Sequence, residues 1–161
     1  MKFRFPIVII DEDFRSENTS GLGIRALAQA IETEGFEVLG VTSYGDLSQF
    51  AQQQSRASAF ILSIDDEEFT VGPDLDPAVL SLRNFIGEVR RKNADVPIYI
   101  YGETKTSRHI PNDILRELHG FIHMFEDTPE FVARHIIREA KSYLEGVQPP
   151  FFKALIDYAE D

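Results

Sequence analysis

Phe5-Pro6-Ile7-Val8-Ile9-Ile10-Asp11-Glu12-Asp13 is an apolar, largely β-branched run that stops abruptly on acids. A strand with one wet face alternates apolar and polar residues; an unbroken apolar run of this length reads as a strand buried on both faces. The pattern returns in Ala59-Phe60-Ile61-Leu62-Ser63-Ile64, which runs into Asp65-Asp66-Glu67-Glu68. It returns again in Val96-Pro97-Ile98-Tyr99-Ile100-Tyr101 and in Gly120-Phe121-Ile122-His123-Met124-Phe125. Residues 36–41 make a fifth strand.

Helical spacing fills the gaps. Ser20 is expected to cap a helix over residues 20–34 with Leu22, Leu27, Ala28 and Ile31 inward, and Gly35 to end it. Residues 44–54 read as a second helix through Leu47, Phe50 and Ala51. Residues 77–92 are strongly amphipathic, with Val79, Leu82, Phe85, Ile86 and Val89 inward and Pro77 in the first turn. Residues 112–118 form a short helix. Thr128 caps the last, with Pro129 at its first position and Phe131, Val132, His135, Ile136, Ala140, Tyr143 and Leu144 on its core side.

Five strand–helix units with doubly buried strands require a parallel sheet covered on both faces, joined by right-handed crossovers. The expected fold is α/β, a flavodoxin-like three-layer sandwich with a five-stranded parallel sheet in the order 2-1-3-4-5. A length of 161 residues suits one such domain. Its expected limits are residues 1–146, with residues 147–161 a linker and the start of a further helix. There, Pro149 and Pro150 stop the preceding helix. Phe151, Phe152, Leu155, Ile156 and Ala159 then lie along one helical stripe. A helix this short needs a surface to cover. That surface is either its own domain or sequence beyond it.

The net charge of −11 disfavours nucleic acid and anionic membrane as partners. The absence of cysteine removes disulfides, thiolate nucleophiles and cysteine-based zinc sites. No apolar stretch is long enough to span a bilayer. A soluble, cytoplasmic protein is expected. Ligands of such sheets bind past the carboxyl ends of the strands. Asp11 and Glu12 end the first strand and Asp65 and Asp66 the third, so these four are the candidate ligands for a divalent cation. A solvated acidic edge is the plainer reading. Gly21 and Gly23 lack the third glycine of a phosphate loop. The histidines His109, His119, His123 and His135 are scattered. No catalytic and no cofactor-binding residue is identified.

The acids resemble the receiver domains of response regulators, which hold magnesium beside a phosphorylated Asp after strand three. The resemblance is incomplete. Gly102 stands where receivers carry a hydroxyl, Met124 where they carry a lysine, and Ile64 where the phospho-accepting Asp belongs. Phosphorylation is therefore not expected.

A second resemblance covers nearly the whole chain. The degenerate receiver-like pattern, Phe125-Glu126-Asp127-Thr128 opening the last helix, and Gln148-Pro149-Pro150-Phe151-Phe152-Lys153-Ala154-Leu155 with Tyr158 together resemble the N-terminal domain of the bacterial ornithine/lysine/arginine decarboxylases. These are pyridoxal-phosphate enzymes of fold type I. The Glu126-Asp127-Thr128 segment leans toward the arginine branch. The resemblance implies that this chain holds no cofactor and is not itself catalytic. Pyridoxal phosphate and the substrate site would belong to later domains of a parent decarboxylase. The partners implied are those domains and sister subunits in a homo-oligomer, met in part through Phe151, Phe152, Leu155 and Ile156. The role implied is assembly and regulation. The alternative is a free-standing pseudo-receiver that binds a protein partner.

Overall fold

In the computed structural model of the chain, the residues described are 3–43, 56–64, 77–103, 110–123 and 126–147. The elements are β1 Phe3–Ile10, α1 Thr19–Thr33, β2 Phe36–Val41, β3 Ala59–Ser63, α2 Pro77–Lys92, β4 Ile98–Gly102, α3 Asn112–Leu115, β5 Gly120–His123 and α4 Pro129–Val147. The strands form one sheet in the order β2-β1-β3-β4-β5. Every pairing is parallel. The expected fold class holds. The helix expected over residues 44–54 and the stripe of Phe151, Phe152, Leu155 and Ile156 lie outside the described residues, as do Asp65, Asp66 and Met124.

Each strand feeds both faces of the sheet, which is why its sequence does not alternate. Ile7, Ile9, Ile61, Tyr99, Tyr101 and Ile122 pack under α1 and α4. Val8, Ile10, Phe60, Leu62, Ile98 and Ile100 pack under α2 and α3 on the other side. Pro6 sits in β1, a central strand, where it cannot donate to the ladder. The pairing of β1 with β2 shifts register between Phe3 and Ile7, around this proline. The buried Ser58 hydroxyl donates to the Phe5 carbonyl at 3.0 Å there.

The helices begin and face slightly differently from expectation. Asn18, not Ser20, caps α1: its side-chain oxygen accepts from the Gly21 N–H at 2.8 Å. Leu22 is 55% exposed, and Ile24 takes its place beside Leu27, Ala28 and Ile31. Those four sit at i, i+3, i+4 and i+7, and position 22 falls on the opposite side of that wheel. Gly35, at φ +97°, turns the chain into β2 as expected. On α4 the buried residues are Val132, Ala133, Ile136, Ile137, Ala140 and Leu144, while Phe131 is 68% exposed. His135 is exposed as well. Val132, Ile136, Ala140 and Leu144 are common to both stripes, and the true one is rotated by roughly 60° from the expected one, toward Ala133 and Ile137. Strand β4 begins at Ile98 because Pro97 has no N–H to pair. The short helix ends at Leu115, earlier than expected.

Candidate functional site

The carboxyl edge of the sheet is where this fold places ligands. Asp11 follows β1 and is 3% exposed, so its carboxylate lies inside the protein and not on an open rim. Its Oδ1 accepts from the Asp13 N–H at 2.8 Å, and its carbonyl accepts from the Phe14 N–H at 3.0 Å. The Ser16 N–H donates to the Asp13 carbonyl at 2.8 Å. Arg25, from the second turn of α1, donates to the Phe14 and Ser16 carbonyls, each at 2.7 Å. Gly21 lets this loop lie against the first turn of α1. A Cβ there would stand 2.2 Å from the Ser16 carbonyl oxygen and 2.5 Å from that of Asp13. Asp11 and Asp13 thus take part in folding the first loop.

Tyr101 reaches the same edge from β4. Burial, with the Asp11 carboxylate second, pushes its phenol up to about 12, so it stays protonated. Ser63 pairs in register with Tyr101. One position further, Gly102 lies beside His123. A Cβ on Gly102 would meet the Ile64 carbonyl oxygen at 3.3 Å, Ile64 Cγ2 at 3.4 Å and Phe121 Cζ at 3.4 Å. At the two positions where the receiver resemblance leads one to expect an acid and a hydroxyl, Ile64 and Gly102 pack with Phe121 as a largely apolar plug. Glu12 is exposed. Among the described residues no three His, Asp or Glu side chains converge to hold a metal ion. Beyond the plug, Asp127 Oδ2 accepts from the His123 N–H at 2.7 Å, which locks the turn from β5 into α4.

The opposite, amino-terminal edge carries a denser polar network. Arg90 of α2, its side chain 14% exposed, donates Nε to Glu117 Oε2 at 2.9 Å and Nη2 to the Glu117 carbonyl at 2.7 Å. Its Nη1 donates to the Val96 carbonyl at 2.8 Å. Asn93 donates its side-chain amide to the Tyr143 hydroxyl of α4. His119 Nδ1 accepts from the Ile98 N–H at 3.4 Å, and its ring sits 6.2 Å from that of Tyr99. The Tyr99 hydroxyl is buried without a hydrogen-bond partner among the described residues.

His119 titrates below its ordinary value. Partial burial is the main cause and the Arg90 charge the second; Glu139 and Asp95 pull the other way. Between that lowered value and about 6.5, the unfolded chain binds a proton that the folded chain refuses. This contribution to stability is full above about pH 6.5 and is lost as pH falls below it. The melting-temperature gap between the parent chain and His119→Gln is expected to narrow on going from pH 7 to pH 5. A gap that widens on acidification would contradict the assignment.

Sequence reasoning found the acids but missed their use. It also missed Asn18, Arg25, Tyr101 and Arg90, whose roles depend on partners far along the chain. Gly21 was visible only as a glycine near a helix start.

A five-stranded parallel sheet in this order, with helices packed on both faces, defines a receiver-like α/β domain. A response-regulator receiver domain from Clostridium thermocellum shares the fold, with a TM-score of 0.57, 15% identity, and coverage of 86% of this chain and 95% of that one. The chain belongs to the Orn/Lys/Arg decarboxylase N-terminal domain family, whose model matches residues 19–143. It is 28% identical over 159 residues to a lysine decarboxylase of Pseudomonas aeruginosa, covering 96% of this chain and 20% of that protein. The structure of lysine decarboxylase A from that organism superposes with a TM-score of 0.76 at 27% identity, over 96% of this chain and 20% of that one. A biodegradative arginine decarboxylase of Escherichia coli is 24% identical over 156 residues, covering 96% of this chain and 20% of that protein. The chain spans about a fifth of the length of these relatives. Among the described residues no helix is long and apolar enough to cross a membrane.

Proposed function

We propose that this chain is the non-catalytic N-terminal domain of a pyridoxal-phosphate-dependent decarboxylase of a basic amino acid, and that it serves subunit assembly. The observation that carries this reading is the family match over residues 19–143. The site supports the non-catalytic half. A pyridoxal-phosphate site needs a sheltered lysine for the Schiff base and an acid for the pyridine nitrogen. Among the lysines whose side chains are described, Lys92 is exposed at the end of α2 and Lys141 is only half-buried on α4. The buried acid, Asp11, is engaged by its own loop. These residues do not fit the cofactor, and no chemical step is assigned to them. Phe151, Phe152, Leu155 and Ile156 are proposed as the seam to the following domain or to a sister subunit. The match to both lysine and arginine decarboxylases leaves the substrate within the basic amino acids.

The test is to express the complete open reading frame that contains this chain and to follow CO2 release from ornithine, lysine and arginine with pyridoxal phosphate. The complete protein is expected to decarboxylate one of the three, and the 161-residue chain none. A complete protein inactive on all three, or a cofactor absorbance band that stays on the short chain through dialysis, would overturn the reading.

A further inference from the structure

Ile98 opens β4, and its pairing with the edge strand β5 is irregular. Along the ladder Tyr99 pairs with Gly120 and Ile100 with Phe121, so one step back Ile98 falls opposite His119. Strand β5 begins only at Gly120. The His119 N–H nevertheless donates to the Ile98 carbonyl at 2.7 Å. A regular parallel ladder would return the Ile98 N–H to the backbone carbonyl of Leu118. Here it goes to a side chain, His119 Nδ1, at 3.4 Å. One residue thus closes both hydrogen bonds of Ile98 on this side, one through its backbone and one through its ring.

Only the ring bond depends on protonation. Nδ1 accepts while it carries no proton, which places the proton of the neutral ring on Nε2. A second proton has to go to Nδ1, and it turns the acceptor into a donor that faces the Ile98 N–H. The bond is long, so the attraction lost is small; the larger change is two donors meeting.

Charged groups reach the ring from each element packed around it. Arg90 of α2 is tied to Glu117 and to the Val96 carbonyl, which fixes its charge in place. Burial and that charge oppose the protonated ring where it stands, whereas Glu139 on α4 and Asp95 before β4 favour it. Burial pushes the Tyr99 and Tyr143 phenols up, so both stay neutral. His135 of α4 adds its ring 6.1 Å from that of Tyr99. The surroundings also limit any opening. Glu117 is held by Arg90 on one side of His119. Gly120 lies under the Tyr99 ring on the other, where a Cβ would stand 3.4 Å from Cδ1 and 3.5 Å from Cε1.

We infer that His119 is an acid-opened rung of the β4–β5 ladder. Neutral, its ring closes on the Ile98 N–H; protonated, it swings toward Glu139 and Asp95 and leaves that N–H open. The rung is closed above the His119 titration and opens as pH falls through it, while the rest of the sheet stays folded. The inference goes beyond the function proposed above and does not depend on it.

The experiment is amide hydrogen exchange, with nitrogen NMR of the imidazole rings, on the 161-residue chain between pH 7 and pH 5. At pH 7 the His119 proton is expected on Nε2. The protection factor of the Ile98 amide should fall by at least about tenfold on acidification, with the midpoint of the ring titration. Val8 and Ile9, in the central strand, should keep theirs. His119→Asn puts a carbonyl oxygen near the Nδ1 position and does not titrate, so Ile98 should stay protected at both pH values. His119→Leu offers no acceptor and should leave Ile98 weakly protected at both. The inference is overturned by a proton on Nδ1 at pH 7, or by an Ile98 amide that is unprotected there. It is equally overturned by protection that does not follow the ring titration, by an equal fall in His119→Asn, or by a fall that Val8 and Ile9 share.

Discussion

Gly21→Ala is expected to cost about 3 kcal/mol or more, the upper end for an added methyl in a packed site. The expected fall in melting temperature is roughly 6–12 °C for a chain of this size. The new Cβ would lie 2.2 Å from the Ser16 carbonyl oxygen, 2.5 Å from that of Asp13 and 2.9 Å from the Ser16 carbonyl carbon. All three obstacles are backbone, so no side-chain rotation relieves them. The loop has to move, and with it the Asp11–Asp13 contact, the Asn18 cap and the two hydrogen bonds from Arg25. Gly87→Ala is the control with the opposite sign. Gly87 is exposed in the middle of α2, and a Cβ there meets nothing within 4 Å. That substitution should stabilise by about 0.5–1 kcal/mol through helix propensity alone. Equal effects from the two alanines in thermal melts would refute the claim that the first loop is packed against α1.

The contrast shows how far the sequence carried. Doubly buried strands print unbroken apolar runs, so Ile7–Ile10, Phe60–Leu62 and Ile98–Tyr101 declared the parallel sheet and its order. The positions of Ile64 and Gly102 were read from register alone, whereas the packing of Phe121 against them was not. Faces of helices were less legible. Leu22 and Phe131 each lie on the opposite side of the helical wheel from the buried residues of their helices, so their apolar character suggested the core while the full periodicity pointed outward. Loop chemistry was hidden for another reason. The acids after β1 look like ligands until the distances show that Asp11 accepts from Asp13 and lies buried, with Tyr101 beside it. Arg90 was invisible for the same reason, since its partners come from two separate segments, the turn before β4 and the turn before β5.

Arg90→Met should destabilise the fold by about 2–3 kcal/mol, more than an exposed ion pair could account for. The guanidinium joins the end of α2 to the turn before β4 through the Val96 carbonyl, and to the turn before β5 through the carbonyl and side chain of Glu117. Methionine keeps much of the stem and removes every donor. The Val96 and Glu117 carbonyls then lose charged partners, each such bond being worth roughly 1.5–3 kcal/mol before relaxation and water recover part of it. Glu117 is 45% exposed, so water recovers most of its share, and the carbonyls dominate the loss. Lysine should rescue poorly, because one ammonium cannot reach acceptors that a planar fork spans. A second readout separates this from generic damage. The Arg90 charge helps hold His119 below its ordinary value. In folded Arg90→Met, proton resonances of the His119 ring should therefore titrate at higher pH than in the parent, while in Arg90→Lys they should move less. A His119 titration unchanged by the loss of Arg90, or a melting temperature within about a degree of the parent's, would show that this arginine neither ties the amino-terminal edge of the sheet nor sets its electrostatics.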